Sequence, residues 1–241
     1  MQTIRFFAYC VLGCFLLSSC RSSAILTSKF ESDSVGSLPN KTLPGDPAGD
    51  EITYSSQLEP RLRVAASASP GQKALQFSQS PASGLNAQNQ WVGFRGTSTD
   101  FVQTIWYFYT ATLQGAGGGL TVDVTDGSAG MIARMFIRSD GQVSLMRSFD
   151  GSTPPQVLGT LPTGVSHTVF FTVNLSTNRL NVSILKSGGN LIANDVPVLL
   201  GSGLAYANPA RPMISFRYDE GFSDGRRYDL EEVFITRKQP N

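Results

Sequence analysis

The chain has 241 residues, of which 41% are hydrophobic and only 15% charged, with 24 glycines and a formal charge of +1. This length suits one large β domain or two small ones, and low charge with abundant glycine favours an extracytoplasmic β protein over a helical cytosolic enzyme. Loss of Arg5 with a leader would leave 18 basic and 18 acidic residues without any basic stripe, which argues against a nucleic acid partner.

The first twenty residues have the features of a secretory leader. An apolar run over residues 6–17 follows Arg5 and ends in Leu17-Ser18-Ser19-Cys20. The run is too short to span a bilayer but suits the hydrophobic region of a signal peptide. Its last four residues resemble a bacterial lipobox, which implies cleavage before Cys20 after a diacylglyceryl group is attached to the thiol. An ordinary secretory peptide with an incidental cysteine is the alternative.

The cysteine count agrees with lipidation. Cys10 and Cys14 would leave with the leader, so Cys20 is the only mature thiol and no intramolecular disulfide can form. A lone thiol is a liability in an oxidising compartment unless it is modified. One acyl chain binds a membrane only marginally, whereas the several chains of a mature lipoprotein anchor it permanently. Arg21 stands where aspartate would suggest inner-membrane retention, so the outer membrane is expected where the host has one.

The predicted division is a signal peptide over residues 1–19, a lipidated N-terminus and tether over 20–28, and a β-sandwich domain over 29–241. Phe30-Glu31-Ser32 opens the domain, and the Pro/Gly/Asp-rich residues 35–50 are predicted as loop. Strand signals follow at residues 52–54, 62–66, 74–78 and 91–95. The aromatic residues 101–113 have no polar face at their centre, which predicts a central strand covered on both sides.

The second half alternates more clearly. Residues 120–125 and 131–137 have period-two patterns, and Ser139-Asp140-Gly141 turns the chain into residues 143–147, which predicts a hairpin. The clearest hairpin signal lies at residues 167–186, where two runs of alternating apolar residues flank the turn Ser176-Thr177-Asn178. Further strands are predicted at residues 191–200, 213–219 and 228–236, with Pro197 favouring a sheet edge for the first. A dozen short strands without an amphipathic helix predict one two-sheet sandwich.

Taken in order, these features resemble the concanavalin A-like jelly roll of lectin, laminin-G and glucanase domains. The resemblance lies in the opening Phe30-Glu31-Ser32 with Gly36 and Pro39, the hairpin at 132–147, the strand pair at 167–186 and the closing strand at 228–236. It implies an all-β, two-sheet antiparallel sandwich. Galactose-binding-like modules have similar opening and closing strands and are the rival assignment. Jelly rolls host lectins, hydrolases, lyases and inert spacers, so the fold alone assigns no function.

The sequence contains no motif for catalysis. Glucanases of this superfamily carry a Glu-x-Asp-x-x-Glu strand that aims its carboxylates into one cleft, and here Asp229, Glu231 and Glu232 come nearest without matching that spacing. His167 is the only histidine and lacks the neighbouring motif of alginate-lyase-like members, so a solvated or hydrogen-bonded structural role is expected. An enzyme would require carboxylates from separate strands to converge.

The best candidates for a ligand surface are aromatic and charged residues on strands expected to be neighbours. They are Tyr107, Tyr109, Arg134, Arg138, Arg217 and Asp219. Aromatic rings that stack on sugars, beside arginine and aspartate that bind hydroxyl groups, are what a glycan groove requires. The alternative is that the aromatic residues are buried and the arginines form a solvated face.

Calcium is a second candidate ligand. In the resembling carbohydrate-binding modules, acidic residues of the first and closing strands often share a structural ion, and Glu31, Asp229 and Glu232 occupy comparable places. Calcium needs six or more oxygen ligands. A solvated charge cluster is the alternative.

The sequence therefore predicts a lipid-anchored extracytoplasmic protein that binds a carbohydrate or a cell surface without catalysis. A polysaccharide-active hydrolase or lyase is the first alternative, and a structural envelope lipoprotein without a small ligand is the second.

Overall fold

The computed structural model describes eleven segments of the chain, which are residues 24–41, 51–56, 58–67, 71–78, 90–97, 103–114, 119–125, 130–138, 140–199, 211–218 and 227–237. These segments contain fifteen strands and one 3-10 turn at Glu59–Arg61. No helix within them has the length and apolar character needed to cross a membrane. The prediction of an all-β protein is confirmed.

Eight strands form the larger sheet. They are β1 Ala24–Ser28, β3 Leu62–Ala66, β4 Lys73–Ser78, β6 Thr104–Gln114, β11 Ser166–Asn174, β12 Arg179–Leu185, β13 Leu191–Pro197 and β15 Arg227–Thr236. Their order is β13-β12-β11-β6-β15-β4-β3, and β1 also pairs with β15. Every pairing in this sheet is antiparallel.

Seven strands form the smaller sheet. They are β2 Glu51–Tyr54, β5 Trp91–Arg95, β7 Leu120–Thr125, β8 Met131–Ile137, β9 Gln142–Leu145, β10 Gln156–Thr160 and β14 Met213–Tyr218. Their order is β10-β9-β8-β7-β14-β5-β2, again with antiparallel pairing throughout. The apolar inner faces of the two sheets form one cluster of buried residues, so the predicted two-sheet sandwich is confirmed.

The hairpin predicted at residues 167–186 is present as β11 and β12. Its turn is closed by Asn174, whose Oδ1 accepts hydrogen bonds from the backbone N–H groups of Ser176 and Thr177. Asn178 has a left-handed φ of 53°, a conformation that asparagine tolerates better than most residues. This turn sets the register that directs the apolar residues of both strands into the core.

The aromatic segment forms β6, which lies between β11 and β15 in the interior of the larger sheet. Tyr107 and Tyr109 are fully buried on its inner face, whereas Trp106 and Phe108 are half-buried on its outer face. The central position is confirmed. The prediction that both sides are covered is wrong for the outer side, because Trp106 and Phe108 retain part of their solvent exposure.

The sheet begins earlier than the sequence suggested. Ala24–Ser28, predicted as part of the tether, form β1 and pair with the end of β15, so the tether prediction is wrong for these five residues. Ile25 and Leu26 are fully buried, and burial of their side chains favours the strand over a solvated linker. The strand β10 at Gln156–Thr160 was also not predicted.

An aromatic cluster with His167 at its centre joins the two sheets. The Nε2 atom of His167, whose residue is 1% exposed, lies 3.1 Å from the Oη atom of Tyr228. The ring of Tyr109 packs edge-on against His167 and against Phe216 of the smaller sheet, with centroid separations of 6.3 and 4.9 Å. Burial lowers the pKa of His167 to about 4 and raises the pKa of Tyr109 well above its usual range. His167 is therefore buried and hydrogen-bonded and not solvated, and its structural role stays a prediction.

Acidification should destabilise the protein through His167. Its folded pKa of about 4 lies below the ordinary value of 6.5, so between these values the unfolded chain binds a proton that the folded chain does not. The stabilisation is therefore complete above pH 6.5 and is lost as the pH falls toward 4. Its full size is at most roughly 3 kcal/mol.

The test is denaturant unfolding of the wild type and of His167→Gln, which keeps a polar group near Tyr228 but cannot titrate. The free energy of unfolding should fall less on acidification in the variant than in the wild type. An equal fall in both proteins would contradict the assignment.

Candidate functional site

The outward-facing residues of the smaller sheet form the candidate site, which we call the small-sheet face. One cross-strand row runs from Trp91 to Arg217, then to Thr121, Phe136 and Ser144. Neighbouring strands lie about 4.8 Å apart, so adjacent members of the row are within side-chain contact distance. The row thus places two aromatic side chains on either side of an arginine and a threonine.

A second row runs beside the first and contains Gly93, Ser215, Asp123 and Arg134 in that order. Gly93 lies two residues after Trp91 on β5. A Cβ atom added to Gly93 would lie 3.5 Å from Cζ3 of Trp91. The indole edge of Trp91 therefore lies over Gly93, and a side chain longer than a methyl group at position 93 would compete for the same space.

Asp123 and Arg134 form a bidentate ion pair in this second row. The Nε atom of Arg134 donates to Oδ1 of Asp123 at 2.7 Å, and a terminal guanidinium nitrogen donates to Oδ2 at 2.9 Å. The side chain of Arg134 is 22% exposed and that of Asp123 is 12% exposed, so the pair is partly shielded from water. Two parallel charge-assisted hydrogen bonds hold both groups in one geometry. They form a fixed pattern of donors and acceptors at the surface.

A cleft of about 380 Å³ borders the small-sheet face beyond β9. The backbone N–H of Met146 donates to the carbonyl of Arg134, and the next residue, Arg147, lines the cleft. Phe149, also in the lining, is 56% exposed. The carboxylate of Asp150 accepts a hydrogen bond from the backbone N–H of Ser152, which holds the pKa of Asp150 below its usual value. The cleft therefore contains an exposed aromatic ring and an ionised carboxylate, with Val198 and Leu199 completing its lining.

Of the six residues predicted as ligand contacts, three lie at the surface, two are buried and one lies outside the described residues. Arg134 and Arg217 lie on the small-sheet face, and Arg138 is exposed just after β8, which carries Arg134. Tyr107 and Tyr109 are fully buried, so their selection as surface residues is wrong: both alternating faces of β6 are aromatic, and the pair that faces outward is the other one. Asp219 lies outside the described residues.

Sequence reasoning missed Trp91, Phe136 and Asp123 as site residues. Their strands were predicted, but the neighbours of each strand could not be read from the sequence, because β5 pairs with β14 from the distant end of the chain. The available signal was the alternation in Trp91–Arg95, which places Trp91 and Arg95 opposite the buried Val92 and Phe94.

The three residues predicted to hold calcium have separate surroundings. Glu31 is exposed in a turn, and Glu232 forms an ion pair with Lys29 at 3.1 Å. Asp229 is fully buried and accepts a hydrogen bond from Nε2 of Gln76 at 3.1 Å. Within the described segments, no group of three or more His, Cys, Asp or Glu side chains is placed to hold a metal ion. The predicted calcium cluster is therefore not formed by these residues.

Asp229 and Glu231, the nearest approach to a catalytic pair in the sequence, lie on β15 of the larger sheet. A bulge in the pairing of β15 with β6 falls between Leu230 and Glu232. Both carboxylates are largely buried and accept hydrogen bonds from neutral side chains, which are Gln76 and Gln114 for Asp229, and Ser67, Thr112 and Ser166 for Glu231. They form a buried polar network on the other side of the sandwich from the small-sheet face.

Among the described strand residues of the small-sheet face, two are carboxylates, and they are not placed as a catalytic pair. Asp123 on β7 is paired with Arg134, and Glu51 on β2 is paired with Arg95 at 3.0 Å. β7 and β2 are three strand spacings apart, or about 14 Å. Glycoside hydrolysis needs carboxyl groups separated by about 5–9.5 Å.

No family model and no curated protein matches the sequence. Solved structures do resemble the fold. A GH131 β-glucanase catalytic domain from Podospora anserina is 12% identical with a TM-score of 0.56, over 91% of this chain and 97% of that one. Lectin II from Ulex europaeus is 11% identical with a TM-score of 0.51, over 89% and 99% of the two chains.

A sialidase is 13% identical with a TM-score of 0.51 over 90% of this chain, which spans only 19% of the sialidase. At such low identity these similarities concern the fold alone. They confirm the predicted jelly roll of lectins and glucanases: the chain is an all-β, two-sheet antiparallel sandwich of that type.

Proposed function

We propose that this chain is a lipid-anchored, noncatalytic glycan-binding protein of the cell envelope, and that the small-sheet face is its binding surface. The observation that carries the proposal is the juxtaposition of Trp91 and Phe136 with Arg217 and the Asp123–Arg134 ion pair on one face. Sugar rings have apolar faces that stack on aromatic side chains and hydroxyl groups that bind to charged side chains.

The dimensions of the surface suit an extended ligand. The first row crosses β5, β14, β7, β8 and β9, which are separated by four strand spacings, or about 19 Å. The cleft with Phe149 is lined by residues that follow β9 in the chain, together with Val198 and Leu199. An oligosaccharide can therefore contact Trp91 with one sugar ring and the Asp123–Arg134 pair with another.

The noncatalytic assignment is supported by the ion pairing and the wide separation of Asp123 and Glu51. Structures with the same fold include a lectin and a β-glucanase catalytic domain, so both kinds of activity are compatible with it. The arrangement of side chains on the small-sheet face matches binding better than hydrolysis.

The anchor is the acylated thiol of Cys20 in the lipobox-like Leu17-Ser18-Ser19-Cys20. Attachment through several acyl chains retains the domain at the membrane surface, most simply the outer membrane. Only three residues lie between Cys20 and the start of β1, so the sandwich is held close to the lipid.

Glycan binding should depend on Trp91 and not on Trp106, the other tryptophan of the chain. In a polysaccharide panel with neutral and acidic members, Trp91→Ala should lose at least about fivefold in affinity, because a stacked ring contributes about 1–3 kcal/mol in comparable aromatic stacking. Asp123→Asn should also weaken binding, since it removes the charge that orients Arg134. Binding is measured by calorimetry, with thermal melting to verify folding.

Trp106→Ala is the matched control, because Trp106 lies half-buried on the opposite sheet. Equal losses in the two tryptophan variants, or no binding by the wild type to any member of the panel, would contradict the proposal. New reducing or unsaturated ends after incubation would instead favour the enzymatic alternative.

Lipidation predicts a clear change on substitution of Cys20. The full chain expressed with its own leader in a bacterium should enter the detergent phase on partitioning and become labelled by a fatty acid precursor. Cys20→Ser should carry no label, because the thiol that receives the acyl group is absent. It should also keep its leader, because cleavage follows acylation, and therefore migrate more slowly than the wild type on a denaturing gel. Wild-type chain that remains aqueous and unlabelled would refute the anchor and leave the glycan proposal untouched.

A further inference from the structure

The outer face of the larger sheet carries an aromatic region that glycan binding by the opposite sheet does not use. Phe108 lies between Phe170 and Phe234 on the three neighbouring strands, with ring centroids 5.5 and 4.9 Å apart. Trp106 lies two residues from Phe108 on the same face. All four side chains are half-buried rather than enclosed. We call these four residues the aromatic face.

Apolar exposure continues toward the edge of this sheet. Ile192 on β13 lies opposite Ser183 of β12, which lies opposite Phe170. Ile192 is 55% exposed, and Leu185 of β12 is 42% exposed. Ser183 interrupts the apolar residues here, and the Lys29–Glu232 ion pair borders Phe234, so the region is mainly and not entirely apolar. Large exposed apolar regions on a protein surface mark contact with a protein, a ligand or a membrane.

The same side of the sheet is polar at its other end. Thr112 and Gln114, further along β6, lie beside Asp229 and Arg227 of β15. Asp229 and Glu231 belong to the buried carboxylate network at this end. The outer side therefore changes along the strand direction from aromatic at Trp106 to acidic at Asp229.

The chain leaves the sheet toward Cys20 at the aromatic end. Ala24 is paired with Thr236, Thr236 with Trp106, and Trp106 with Thr172, so the start of β1 lies in the same cross-strand row as the indole. Cys20 precedes Ala24 by four residues. Four extended residues span at most about 14 Å, so the anchor cannot lie far from this end of the sheet.

We infer that the aromatic face rests on the lipid surface that holds the anchor, an inference that depends on the proposed lipidation of Cys20. Phenylalanine and tryptophan are favoured at the boundary between lipid headgroups and acyl chains. The backbone groups of β6 beneath the aromatic face are hydrogen-bonded to β11 and β15. Contact with lipid would therefore leave no unpaired backbone group of β6 against the membrane, only side chains. The carboxylates at the other end lie farthest from the anchored row and are buried in protein hydrogen bonds, so this orientation does not place them against lipid.

This orientation assigns different environments to the two sides of the sandwich. The two sheets pack through their apolar inner faces, so their outer faces point in opposite directions. If the aromatic face lies on the membrane, the small-sheet face is directed away from it. Trp91 then faces the medium, where an envelope or host glycan can reach it. The short link to Cys20 limits how far the domain can move from the lipid surface.

The two tryptophans of the chain make the test direct, because one lies on each side. The full chain is expressed with its leader, purified in detergent and reconstituted into phosphatidylcholine vesicles that contain brominated acyl chains. Trp91→Phe leaves Trp106 as the sole tryptophan, and Trp106→Phe leaves Trp91. Flotation of the vesicles reports anchoring, near-ultraviolet circular dichroism reports folding, and emission is compared with vesicles of unbrominated lipid.

Anchored Trp91→Phe should lose most of its emission in brominated vesicles. Its emission should also lie at shorter wavelength than that of the same Trp91→Phe chain expressed without residues 1–20, which has neither leader nor lipid. Anchored Trp106→Phe should keep its emission. The orientation would be overturned, with the anchor intact, by any of three results. These are no quenching in either anchored variant, quenching of Trp91 without quenching of Trp106, and equal quenching of the two tryptophans. Failure of either variant to float would overturn the anchor and the orientation together, and glycan binding by the unanchored protein would remain as proposed.

Trp106→Tyr and Trp91→Tyr provide a second pair if a phenylalanine variant unfolds, since selective excitation still reports the remaining tryptophan. Their expected outcomes are the same.

Discussion

The structure depends on the alternation of β6 between its two neighbours. This strand is bonded on one side to β11 and on the other to β15, and every second residue from Ile105 to Leu113 is buried. Tyr109 meets Phe216 of the opposite sheet in the core, and this contact joins the two layers. The same alternation forces Trp106 and Phe108 outward. One strand thus determines both the centre of the core and the character of an outer surface.

The two outer surfaces differ in chemistry. The smaller sheet presents Trp91 and Phe136 together with charged side chains that are fixed by ion pairing, as at Asp123 and Arg134. The larger sheet presents phenylalanine rings at one end and a hydrogen-bonded carboxylate network at the other. A sandwich separates these surfaces by the thickness of its core, about 10 Å. The proposed contacts with a glycan on one side and with lipid on the other are therefore sterically compatible.

Much of the fold could be predicted from the sequence where one face of a strand is polar. The hairpin of β11 and β12 and the strand Leu62–Ala66 have such patterns, and their bounds agree with prediction closely. The faces of β6 could not be assigned because both alternating sets are aromatic. Ala24–Ser28 were missed because their partner lies at the other end of the chain, and β10 because its edge position gives Val157 an exposed side chain. The candidate site was half predicted: Arg134 and Arg217 were chosen for their polarity, but their aromatic neighbours depend on nonlocal pairing.

The position of β6 can be measured directly by amide hydrogen exchange of the folded protein. The amides of Thr104–Gln114 should exchange among the slowest in the chain, together with those of β11 and β15, because each is bonded within a sheet and covered by the core. The edge strands Gln156–Thr160 and Leu191–Pro197 should exchange much faster. Exchange of β6 at the rate of these edges would contradict the arrangement of the sandwich and of both its surfaces.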